Sequence, residues 1–169
     1  MKKLISIFLV IFLFSCSGDD SSDLNSEPNY DAASNALSAS TPTLKINKTT
    51  FDRLNTNRIN GYSEGDTFEF KSINRNEDIL EVEITYSGGC ETHSFEVIWD
   101  GIIYTDDPCH ANLIIVHDAH GDSCEAAITK TLYIDLKELI GNIEYKDICE
   151  YHLYNTFNSS NTPDIKFNN

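Results

Sequence analysis

Leu80-Glu81-Val82-Glu83-Ile84-Thr85-Tyr86 decides the fold. Apolar and polar residues alternate at every step, the period of a strand with one buried and one wet face. Gly88-Gly89 ends the run. Downstream, Phe95, Val97 and Trp99 alternate with Glu96 and Ile98. Asp100-Gly101 follows as a turn signal. The two runs are close enough in sequence to pair antiparallel.

Working outward, Leu113-Ile114-Ile115-Val116 is apolar on both faces and reads as a central strand. Thr131-Leu132-Tyr133-Ile134 is another β-rich run. Ile143, Tyr145, Cys149, Tyr151 and Leu153 share one parity of a late strand that Asp147 interrupts. Thr67–Lys71 and Leu44–Ile46 are weaker candidates. The helical signal is confined to one place: Asp135 and Glu138 form a capping pair, Leu136, Leu139 and Ile140 follow, and Gly141 ends the turn. This pattern predicts an all-β domain, an antiparallel β-sandwich or small barrel with at most one short helix.

The chain start carries an address. Lys2 and Lys3 precede an apolar run from Leu4 to Phe14, then Ser15 and Cys16. A charged start, a short apolar stretch and a small residue at the cut are the parts of a secretory signal. The run is shorter than the roughly 20 residues a permanent membrane helix needs. Leu13-Phe14-Ser15-Cys16 resembles the lipobox of bacterial lipoproteins, departing from it in the bulky Phe14. The resemblance implies acylation of Cys16 and removal of residues 1–15. Ser17-Gly18-Asp19-Asp20-Ser21-Ser22-Asp23 resembles the acidic segment that routes Bacteroidota lipoproteins to the outer cell surface. The implied place is the outer membrane, facing the cell exterior, with its periplasmic face as the alternative.

Residues 16–43 are rich in Ser, Asp, Asn and Ala, with few apolar residues beyond Leu24, Tyr30 and Leu37. Such a stretch cannot offset its ordering entropy by burial, so a flexible tether is expected there. Residues 44–169 then form one domain of ordinary size. Asp and Glu number 27 against 12 Lys and Arg, for a formal charge of −15 that includes the leader's Lys2 and Lys3. This balance argues against nucleic acid, which is bound through Lys and Arg that release counterions. It argues equally against adsorption to an anionic membrane. The expected membrane contact runs through the Cys16 lipid alone.

Besides Cys16, four cysteines remain: Cys90, Cys109, Cys124 and Cys149. An exported chain meets an oxidising compartment, so disulfides are the default, with three connectivities open. Gly88-Gly89-Cys90-Glu91-Thr92-His93 and His117-Asp118-Ala119-His120-Gly121-Asp122-Ser123-Cys124 both follow strong strands. The pair resembles uncharacterised bacterial lipoproteins and secreted domains that carry Gly-Gly-Cys-x-x-His and Gly-Asp-x-Cys after strands. That resemblance covers roughly residues 80–140 and implies that Cys90 and Cys124 belong together, without implying any activity. A Cys90–Cys124 bridge closing about 35 residues would stabilise by roughly 3–4 kcal/mol. Cys109–Cys149 is then the remaining pair.

Two metal readings compete with that bridge. Cys90, His93, Cys124 and either His117 or His120 form a tetrahedral zinc set. Alternatively the disulfide forms and His93, His117 and His120 hold zinc or copper with an open fourth position. His117 continues the parity of Leu113 and Ile115, so an inward-facing neutral histidine is expected there, and His120 beside Gly121 reads as a turn residue. A Cys90–His93 nucleophile and base is the enzymatic reading. Asp106, Asp107, Asp118 and Asp122 lack the ligand spacing of a calcium loop. Trp99, Tyr104 and Tyr133 are aromatics for a glycan surface or, equally, core residues. The leading expectation is a surface-anchored, non-enzymatic binding or structural module without a cofactor. A metal-binding protein is the alternative, and an exported enzyme comes third.

Overall fold

Alternation in sequence becomes alternation in space. In the computed structural model, which describes residues 39–169 apart from 142 and 143, Leu80, Val82 and Ile84 are wholly buried while their neighbours face out. Cys16, the leader over 1–15 and the tether as far as residue 38 lie outside the described residues, as does Ile143. The strands are β1 (Ala39–Ser40), β2 (Thr43–Ile46), β3 (Glu69–Asn76), β4 (Ile79–Gly88), β5 (Ser94–Tyr104), β6 (His110–Asp118), β7 (Ala126–Asp135), β8 (Glu150–Asn155) and β9 (Ile165–Phe167). Helix α1 (Lys48–Ile59) lies between β2 and β3, and the single turn α2 (Leu136–Leu139) follows β7.

Two sheets form, in the orders β1-β7-β4-β3 and β2-β5-β6-β8-β9. Their inner faces enclose one core built from Leu80, Val82, Ile84, Val97, Trp99, Leu113, Ile115, Leu132, Ile134 and Leu153, among others. Each large aliphatic side chain buried there contributes about 1.5–3 kcal/mol. The fold is the expected sandwich, and neither sheet closes into a barrel. β6 is central, as its two apolar faces require: Leu113 and Ile115 enter the inter-sheet core, while Ile114 meets Phe51 and Leu54 of α1 on the other side.

The structure corrects four expectations. The 80–86 and 95–99 runs do not pair with each other. β4 pairs with β3 and β7, whereas β5 pairs with β2 and β6, so the chain between Gly88 and Ser94 crosses from one sheet to the other. Pairing is also mixed: β1 with β7, β2 with β5 and β6 with β8 run parallel. The late strand is confined to β8, because Glu144–Asp147 winds into a 3-10 turn whose Tyr145 carbonyl accepts from Cys149. Finally, Ala39 and Ser40, inside the stretch expected as tether, pair beside Thr131 and Leu132.

The sequence pattern does not predict helix α1. Its cap is nevertheless legible: the Asn47 Oδ1 accepts from the Thr50 amide at 3.0 Å. The expected α2 is present, with Asp135 Oδ1 accepting from the Glu138 amide at 3.0 Å.

Candidate functional site

The crossover from β4 to β5 and the turn from β6 to β7 meet at one end of the sandwich. Cys90 and Cys124 join them in a disulfide with Cα atoms 5.9 Å apart. At the opposite end of β6, Cys109 and Cys149 form the second bridge, 4.8 Å between Cα atoms. Both expected pairings are present.

Asp122 organises the first end. Its Oδ2 accepts three successive backbone amides, from Gly89 at 2.8 Å, Cys90 at 2.9 Å and Glu91 at 3.0 Å. Its Oδ1 accepts from Cys124 at 2.8 Å. Consecutive N–H groups curled around one oxygen make an anion-holding nest. The amides of Cys124 and Glu91, then the His93 ring, hold the Asp122 carboxyl well below the usual carboxylate range.

The histidines extend the network inward. His93 Nε2 lies 3.0 Å from Asp122 Oδ2, and His93 Nδ1 lies 2.7 Å from His117 Nε2. His117 Nδ1 faces the Thr67 carbonyl at 3.3 Å. Both rings are buried and sit among aromatics: Tyr86 stacks on His93, and Phe95 stacks parallel to His117 at 4.5 Å. Counting protons determines the arrangement. An ionised Asp122 only accepts, so His93 Nε2 carries hydrogen. In a neutral His93 the Nδ1 then accepts, and His117 Nε2–H donates to it. The neutral His117 is left with a bare Nδ1 opposite a carbonyl, two acceptors facing at 3.3 Å, the longest of these three contacts. A third proton would complete the last link. Burial opposes it first, and the neighbouring His93 second, so the His117 pKa is pushed below its ordinary value.

Two glycines make this packing possible. A Cβ on Gly88 would lie 2.5 Å from His93 Cε1 and Nε2. At Gly65 a Cβ would lie 2.4 Å from the His117 carbonyl oxygen. That close approach lets Asp66 clamp the end of β6, its N–H donating to the His117 carbonyl at 2.8 Å and its Oδ2 accepting from Ala119 at 2.7 Å. The sequence marks Gly88 only as a strand stop, and nothing in it singles out Gly65 or Asp66.

His120 does not join the other two. It is an exposed turn residue with φ of 52°, its amide donating to Asp118 Oδ1. The expected three-imidazole metal set is therefore not assembled. The Cys₂His₂ zinc set fails as well, since Cys90 and Cys124 are oxidised and hold no thiolates. Among the described residues, the group that gathers three metal-type ligand atoms is Cys90, Asp122 and Cys124, and its two sulfurs are bonded to each other. Asp118 and Asp122 serve local amides rather than a shared cation. Trp99 belongs to the core, its Nε1 donating to the Ile102 carbonyl at 3.1 Å, whereas Tyr104 lies on the outer face of the five-stranded sheet beside His110 and donates to Asp100.

No family model matches this chain, and no curated protein matches it. Among solved structures it is similar to a NigD-like immunity protein from Bacteroides caccae, at 19% identity and a TM-score of 0.46 over 68% of this chain and 51% of that one. It is also similar to a protein of unknown function, DUF1344, from Bacteroides vulgatus, at 12% identity and a TM-score of 0.43 over 67% of this chain and 48% of that one. The chain spans about half the length of these two structures.

Proposed function

We propose that the chain is an outer-membrane lipoprotein, anchored through Cys16 and facing the cell exterior, whose sandwich is a non-enzymatic binding or structural module. One observation carries the non-enzymatic part: every chemically capable group at the candidate site is already committed. Cys90 and Cys124 are a disulfide, Asp122 is saturated by amides, and His93 and His117 bond each other out of solvent. A thiol nucleophile, a zinc thiolate or a free general base each needs one of these groups released. The same bonds lock two loops together, which is what a rigid display scaffold requires. Two disulfides also suit an exported chain.

The anchoring part is tested in cells. Wild-type protein should partition with membranes and be cleaved by protease added to intact cells, and Cys16→Ala should move to the soluble fraction. Membrane partition unchanged in Cys16→Ala would remove the anchor, and a domain cut only after lysis would place it on the periplasmic face. About one equivalent of zinc or copper in the isolated protein, lost in His117→Ala, would replace the metal-free reading.

A further inference from the structure

Two imidazoles are strung between two acceptors at the Cys90–Cys124 end of the sandwich. The Asp122 carboxylate stands at one end of the row and the Thr67 carbonyl at the other, and neither donates. Three gaps separate the four groups, at 3.0 Å, 2.7 Å and 3.3 Å. Each gap closes with one hydrogen, so the complete row needs three. Two neutral imidazoles bring two. The neutral row is therefore one proton short, and its open gap is the longest one, between His117 Nδ1 and Thr67.

That end of the row has space beside it. Asp66, Thr67 and His117 share the wall of a cavity of about 570 Å³, and Gly65 and His117 line a second of about 310 Å³. The rings themselves are 6% exposed in His93 and 1% in His117. Few titratable groups face them. Asp122 meets His93 directly, and the field of Asp66 reaches His117. Tyr86 stacks on His93. Lys130 lies 5.7 Å over Phe95, the ring that stacks on His117. Asp118 and His120 are exposed and face each other. A positive charge is thus best placed on His93, whose Nε2 touches an ionised carboxylate, because the direct partners of His117 are neutral.

We propose that the His93–His117 pair is an acid switch: it takes up one proton at His117 Nδ1, holds the charge on His93 and closes the open link to Thr67. In this step an N–H bond forms at His117 Nδ1. The hydrogen on His117 Nε2 passes along the 2.7 Å contact to His93 Nδ1. His93 becomes the imidazolium beside Asp122, and no gap in the row is left without a hydrogen. One unbroken row of hydrogen bonds then joins the segment before β3, the residue before β5, the end of β6 and the Asp122 turn. Burial opposes the uptake, so the switch works below the ordinary histidine value of about 6.5. The closed link offsets part of that cost without reversing its sign, so acid tightens this corner while the fold as a whole loses stability.

Nitrogen-15 NMR of the imidazole rings in the purified full-length chain, followed from about pH 8 to about pH 4.5, tests the switch. At the alkaline end, both Nε2 atoms should carry hydrogen and both Nδ1 atoms should be bare. On acidification the pair should take up a single proton, with His93 protonated on both nitrogens and the His117 hydrogen moved from Nε2 to Nδ1. The Thr67 carbonyl carbon should shift at the same midpoint. Asp122→Asn removes the counter-charge and should lower that midpoint by about one pH unit or more. A thermal melt reports whether this variant is folded, and the wild-type assignments decide the matter if it is not. Hydrogen already on His117 Nδ1 at the alkaline end, an imidazolium at His117 beside a neutral His93, a Thr67 carbonyl that ignores the midpoint, or a folded Asp122→Asn with an unshifted midpoint would overturn the switch.

Discussion

At the residue scale, the rings of His117 and His152 set a pH dependence whose sign follows from burial. His117 and His152 both have pKa values lowered chiefly by desolvation. Each is harder to protonate folded than unfolded, so the unfolded state binds more protons as pH falls. Their stabilising contribution is full above the unfolded value of about 6.5 and is lost toward the lower folded value. The depressed carboxylates, Asp122 among them, lose theirs only below about pH 4–5. The melting temperature should therefore fall between about pH 7 and pH 5, and His117→Gln combined with His152→Gln should flatten that slope. A slope unchanged in the double variant would contradict the assignment. Gly88→Ala tests the packing itself. The added methyl would collide with the His93 ring and should cost about 1–3 kcal/mol in denaturant titration, as overpacked sites do. At this scale the sequence was partly legible. The parity of Leu113 and Ile115 pointed His117 inward, and Gly121 marked His120 as a turn residue. The hydrogen bond between His93 and His117 joins the residue just before β5 to β6, where His117 is the cross-strand partner of Phe95. No sequence spacing encodes that register before the β5–β6 pairing is known.

At the element scale, period-2 alternation located β4 and β5, a run apolar on both faces located β6, and β-rich composition located β7. Partner choice was not legible. β4 and β5 look like a hairpin in sequence, but a Cys90–Cys124 tie and a nest around Asp122 hold the intervening loop as a crossover. Helix α1 has no amphipathic stripe to read, because Phe51 and Leu54 are its only buried apolar residues and its third buried side chain is Arg58. Two β-branched threonines at its start further weaken the helical signal. Its stability comes from packing on Ile98, Ile114 and Tyr154 and from its cap. Asn47→Ala removes the acceptor for the Thr50 amide and should cost about 1 kcal/mol, measured as a shift in denaturant midpoint at unchanged slope. A midpoint equal to wild type would show that the cap contributes nothing measurable.

At the scale of the whole molecule, composition and alternation made the sandwich legible, and an even cysteine count made disulfides legible but not their connectivity, which the resemblance of the two strand-end motifs implied for Cys90 and Cys124 and left to Cys109 and Cys149 as the remainder. The staples bind opposite ends of β6, and their sequence separations are 34 and 40. In the chain-entropy model each contributes about 4 kcal/mol by restricting the unfolded chain. The two loops interleave, Cys109 lying inside the first and Cys124 inside the second. With one bridge closed, the path between the other two cysteines is shortened only slightly, and the loop-closure entropy depends on length logarithmically. The two effects should therefore be close to additive. Removing either bridge by paired Cys→Ser substitution should lower stability by about 4 kcal/mol and leave a folded domain, since the inter-sheet core stays intact. Removing both should cost about 8 kcal/mol, which consumes most of the 5–15 kcal/mol available to an ordinary domain. Urea titrations of the wild type, the two paired variants and the four-serine variant decide the matter. A four-serine variant as stable as either paired variant would mean that the bridges act on one shared restraint, and that the two ends of the sandwich are not stapled independently.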